Sequence, residues 1–65
     1  MNKNQQNVLK FFLKKIDKPK SLTSDEVLQI LSEIIVKIDI PDTWSKNDSN
    51  LLFKKVKEIF KKYYQ

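Results

Sequence analysis

The 65-residue sequence has no cysteine, no histidine, no glycine and no arginine, and only two prolines. Without cysteine there is neither a disulfide framework nor a thiol nucleophile. Without histidine the most common general base and the most common neutral metal ligand are both missing. A chain without glycine also lacks the Gly-rich loops that cradle phosphates. Serine and threonine stand where caps and turns need them, and the acids are spread along polar faces. No catalytic, cofactor-binding or metal-binding residue is therefore assigned, and the chain is expected not to be an enzyme. Asp39, Asp42 and Asp48 share one connection. Counted from Asp39, an EF-hand would need a glycine at the sixth position and a glutamate at the twelfth. Trp44 and Asn50 stand there instead, so the acids read as turn and capping residues.

These absences bound the fold as well. A chain this short buries only about 60% of the surface its unfolded form exposes. The staples that small domains use, disulfides and structural zinc, are excluded. Residues 1–65 are expected to form a single helical domain held by helix packing, with a partner or a second copy of the chain as further support. No apolar run approaches the ~20 residues that span a bilayer. Met1 to Asn7 is polar and lacks the shape of a secretory signal, so the expected location is cytoplasmic.

The charges follow a pattern. Residues 1–21 carry six lysines against Asp17, residues 22–48 two lysines against six acids, and residues 49–65 five lysines against Glu58, for a net charge of +5. A basic–acidic–basic order suits an acidic partner or nucleic acid. It also suits two basic outer helices laid against an acidic middle one. The exclusive use of lysine, with the many asparagines and isoleucines, is what an AT-rich genome produces.

Pro19 and Pro41 bias the residues before them away from helix and divide the chain into three segments. In the first, about 4–16, Val8, Leu9, Phe12, Leu13 and Ile16 share one helical arc, and Phe11 points away from it. The second, about 24–39, opens with Thr23 as N-cap and Glu26 three residues on, a capping box, with Leu22 and Val27 placed for a hydrophobic staple. Val27, Leu28, Ile30, Leu31, Ile34, Ile35 and Ile38 give it an apolar face wide enough for two neighbours, so this should be the central helix. The third, about 46–64, starts near Ser45 or Asp48, either of which can cap it. Leu52, Phe53, Val56, Ile59, Phe60, Tyr63 and Tyr64 lie on one arc of it and the lysines on the other. The fold class is thus all-α, a small three-helix bundle. Leu9, Phe12, Leu13, Leu31, Ile34, Val56, Ile59 and Phe60 are its expected buried core.

Two features bear on function. Lys54, Lys55, Lys57, Lys61 and Lys62 form a face that could neutralise phosphates without reading sequence. Base readout would also recruit arginine, which is absent, and a solvated helix face explains the same pattern. Separately, Phe11 and Val36 lie off their main arcs, Leu51 sits among the lysines, and Trp44 lies in a connection. Together they are candidate partner-binding residues, because clustered apolar side chains mark interfaces. A lid over the end of the core is the plainer role for Trp44.

Trp44-Ser45 followed by Asp48 and Leu51-Leu52 resembles the first helix of a Myb-type repeat. Ile40-Pro41-Asp42-Thr43, continuing to Val56 and Ile59, is similar to the middle of the N-terminal helical domain of transcription elongation factor S. In each case further helices would have to follow Tyr64, and neither family is assigned. The leading expectation is a small regulatory or inhibitory protein that binds a larger protein. The alternatives are a lysine-rich nucleic-acid-binding domain with little sequence specificity and a structural subunit of a larger assembly. No cofactor is expected, and a second copy of the chain is a further partner to consider.

Overall fold

The structure, a computed structural model, describes residues 1–64. Three helices follow one another: α1 (Lys3–Lys15), α2 (Ser24–Ile35) and α3 (Lys46–Phe60). A single 3-10 turn, Lys61–Tyr63, extends α3. The protein is an all-α three-helix bundle, and no helix among the described residues is long and apolar enough to cross a membrane.

Each helix starts with a capping box, in which a side chain accepts from a backbone N–H three residues on and the exchange is returned. Thr23 and Glu26 form the expected one, at 3.1 and 2.9 Å. Leu22 and Val27 are both buried beside it. At α3 the choice between Ser45 and Asp48 resolves into both: Ser45 is the cap and Asp48 answers it. The box that opens α1, Asn2 with Gln5, was not expected.

The central helix ends at Ile35, four residues before its expected end. Its last stretch is β-branched, which weakens helix propensity, and no glycine or C-terminal lysine closes it. The closing groups come from α1 instead. The Gln5 amide nitrogen lies 2.9 Å from the Ile38 carbonyl oxygen and 3.3 and 3.4 Å from those of Ile35 and Val36. A helix end leaves such carbonyls short of donors; here the Ile35 carbonyl also accepts the Ile38 N–H, at 3.0 Å. Next to it, Asn4 donates to the Ile40 carbonyl and to the Asp42 carboxylate. The first turn of α1 therefore shapes the connection between α2 and α3. That connection folds inward far enough to bury Ile40.

This contact also sets the rotation of α1. Its buried line is Gln5, Val8 and Phe12, with Phe12 against Phe53 of α3 at a ring-centroid distance of 5.3 Å. Leu13, expected in the core, is 39% exposed at the edge of that line. Ile59 is likewise 43% exposed, because Ser49, Phe53, Val56 and Phe60 form the inward line of α3. Leu9 and Ile34 are half-buried at the margin. Phe12, Leu31, Val56 and Phe60 are fully buried, as expected, and Ile35 joins them. At the far end, the Tyr64 hydroxyl donates to the Asp17 carbonyl and Ser21 donates to the Tyr63 carbonyl. The chain end is thereby tied to the connection between α1 and α2. Partial burial first, and then the Asp17 carboxylate, push the Tyr64 hydroxyl above its ordinary pKa.

Candidate protein-docking surface around Trp44

Pro41 starts a turn in which its carbonyl accepts the Trp44 N–H at 3.0 Å. The turn lifts the indole onto the start of α3, where its Nε1 donates to the Ser49 hydroxyl at 2.7 Å. Ser49 is itself buried on the inward line of α3. A ring held at both its backbone and its polar edge loses little freedom when something packs on it, and such preorganisation favours binding.

Trp44 is half-buried against the core, so it does act as a lid. It also separates two grooves. One, of about 380 Å³, has Phe11, Trp44, Pro41, Asn4, Asn7 and Lys46 among its lining residues. The other, of about 350 Å³, is lined by Trp44, Leu51, Leu52, Ile38, Asp48 and Lys55. The structure thus brings Phe11, Trp44 and Leu51 onto adjoining surfaces with the indole between them. Leu51 is 52% exposed, whereas Phe11 is half-buried with its ring 6.1 Å from that of Phe12. Val36 does not join them. It is 53% exposed at the end of α2 and lines neither groove.

The five lysines proposed for nucleic acid are all exposed, and those that line grooves border different ones. Lys55 borders the Leu51 groove. Lys57 and Lys61 turn to the other flank, where they line a groove of about 400 Å³ with Lys15, Phe53 and Tyr64, interrupted by Asp17 and Glu58. Lys15 was not among the candidates. Its ammonium lies 5.1 Å from the ring centroids of both Phe11 and Phe53, within the range of cation–π attraction, and donates to Asn50. Only the pairing of α1 with α3 could reveal it. Lys62 lies over the Tyr63 ring, and Lys54 lines none of these grooves. Lysine hydrogen bonds among the described residues go to neutral oxygens, from Lys15 to Asn50 and from Lys18 to the Pro19 and Leu22 carbonyls. The basic helices are not tied to the acidic one by such bonds.

Of the three acids that share a connection, Asp48 completes the Ser45 capping box of α3 and Asp42 accepts from Asn4. Comparison with protein-family models finds no matching family, and neither curated proteins nor solved structures give a match to this chain.

Proposed function

We propose that this chain is a small non-enzymatic regulatory or inhibitory protein that acts in the cytoplasm by binding a larger protein, with Trp44 at the centre of the contact. One observation carries the reading: Phe11, Trp44 and Leu51 line two adjoining grooves that share the indole. Tryptophan is among the residues that dominate interface energetics, most of all where neighbouring groups keep water out. Asn4, Asn7 and Asp42 on one side and Asp48 and Lys55 on the other supply the polar rim that such a patch needs.

The test compares the parent with Leu51→Asp in capture experiments from the native cell after nuclease treatment. Leu51 is exposed, so the substitution should leave the melting temperature unchanged and abolish retention of the partner. Phe11→Ser is less clean, because Phe11 also packs on the core. The single tryptophan reports binding directly through its fluorescence. Retention unaffected by Leu51→Asp would refute the assignment.

A second reading, a nucleic-acid-binding domain, is favoured by the groove where Lys15, Lys57 and Lys61 meet Phe53 and Tyr64. Cations beside aromatic rings are what single strands use for backbone and base contacts. In that case nuclease should release whatever is retained, and replacing Lys54, Lys57 and Lys61 together should flatten the salt dependence of binding.

A further inference from the structure

Along the seam between α2 and α3 runs an apolar strip that no element among the described residues covers. Ile30, Ile34 and Ile38 on the α2 side and Leu52 on the α3 side are half-buried, and Ile59 is exposed. Ile38 and Leu52 line one groove. Ile59 stands seven residues after Leu52, two turns on along the same flank. The two helices run antiparallel. The end of α2 lies beside Leu51 and Leu52, while Ser21, just ahead of α2, reaches the Tyr63 carbonyl. That register sets Glu33 at the level of Lys55 and Glu26 at the level of Lys62.

These four side chains edge the strip. Glu26 and Glu33, seven residues apart, lie on the outer margin of α2, and Lys55 and Lys62, also seven apart, on the outer margin of α3. All four are exposed. Where the strip ends near Trp44, the signs reverse: Lys37 follows α2 and Asp48 opens α3. Within the chain, Glu26 and Asp48 bond their own helix starts, and Lys62 lies over Tyr63. None of these contacts joins one margin to the other.

We infer that a second copy of this chain covers the strip, related by a twofold axis running along the seam. That axis lays each α2 antiparallel on the partner's α3. Ile30 and Ile34 then meet Leu52 and Ile59 of the other copy. Glu26 faces the other copy's Lys62, Glu33 its Lys55 and Lys37 its Asp48, so all three charge pairs match in order. The alternative twofold, across the seam, would stack α2 on α2. That helix carries Asp25, Glu26 and Glu33 and no lysine, so the arrangement sets acid against acid. The molecule measures 36 × 20 × 18 Å. Its long face is therefore comparable with the roughly 800 Å² that each partner contributes to an ordinary stable interface. This inference stands without the partner-binding role of Trp44, but the second copy covers Asp48 and Lys55 at the rim of the Leu51 groove, so self-association and partner binding there compete.

The experiment is sedimentation equilibrium on the full chain across a concentration series, with two charge reversals, Glu33→Lys and Lys55→Glu. The parent should dimerise. Each reversal alone sets like charges across both symmetry-related contacts and should weaken self-association about tenfold, since each rim pair is small and two are affected. An equimolar mixture of the two variants should recover parent-like dimerisation as a heterodimer, because every lysine at 33 then faces a glutamate at 55 and every lysine at 55 a glutamate at 33. Attraction between Glu33 and Lys55 within one chain cannot produce that recovery. Ile59→Asp, at an exposed position, should abolish dimerisation and leave unchanged the melting temperature measured at concentrations where the parent is monomeric. A parent that stays monomeric at the highest attainable concentration, or a mixture that behaves like its separate components, would overturn the inference.

Discussion

Gln5 is the residue whose removal best tests how the bundle is held. It is 8% exposed, and its amide nitrogen carries two hydrogens for three carbonyls. The Ile38 oxygen at 2.9 Å takes one, and the oxygens of Ile35 and Val36 at 3.3 and 3.4 Å share the other. Gln5→Leu keeps the volume and the helix propensity nearly constant, removes both donors, and also removes the Oε1 that accepts the Asn2 N–H in the α1 capping box, where Asn2 is exposed and water can replace it. Each net hydrogen bond contributes about 1 kcal/mol, and the part-buried Ile38 carbonyl left without its donor costs a further ~1 kcal/mol, whereas the Ile35 carbonyl keeps the Ile38 N–H. The added apolar surface of leucine offsets about 1 kcal/mol of that. The expected loss is about 2 kcal/mol. For a domain of this size it corresponds to a fall of roughly 8–16 °C in melting temperature, readable by far-UV circular dichroism. Gln6→Leu is the control. Gln6 is exposed and bonds only the Met1 carbonyl at 3.3 Å, so it should change stability by less than about 0.5 kcal/mol. Equal melting temperatures for the two variants would show that the Gln5 amide does not hold the end of α2.

Other outcomes follow from the same contacts. Ile35→Ala, at a fully buried site, should cost about 2–5 kcal/mol, and Ile34→Ala, half-buried, clearly less; the reverse order in chemical denaturation would contradict the orientation of α2. Thr23→Ala and Ser45→Ala should each lower stability by about 1 kcal/mol through loss of a capping box, while Thr43→Ala, which caps nothing, should be close to neutral in the same assay. The raised pKa of Tyr64 means that the folded state favours the neutral phenol. Its contribution is complete below the unfolded tyrosine pKa of about 10 and is lost as pH rises through the higher folded value. The stability difference between parent and Tyr64→Phe should therefore shrink above about pH 10, and a difference that stays constant through that range would argue against the Tyr64–Asp17 contact.

The sequence alone determined the number of helices, their starts and four residues of the buried core, Phe12, Leu31, Val56 and Phe60. Those features are local or periodic. A capping box lies within four residues, and an amphipathic arc repeats every 3.6, so Thr23 with Glu26 and the lines through Phe12, Leu31 and Phe60 could be read without knowing what they touch. The candidate docking residues were legible for the same reason: Phe11, Trp44 and Leu51 break the pattern of their own segments. Periodicity does not say where the centre of a broad arc points. That depends on which neighbours approach, so Leu13 and Ile59 moved out of the core while Ile35 moved in. Nor does it show that two side-chain amides in the first turn of α1, Asn4 and Gln5, serve carbonyls thirty or more residues away. Nothing local in the 34–38 run marks a helix end, so periodicity by itself carries α2 on to residue 39 whereas the Gln5 contact accompanies its end at Ile35. The tertiary structure alone decided the end of α2, the rotation of α1 and the meeting of Phe11, Trp44 and Leu51 around one indole. Each of these rests on contacts between groups far apart in the chain, whose geometry exists only once the helices have packed.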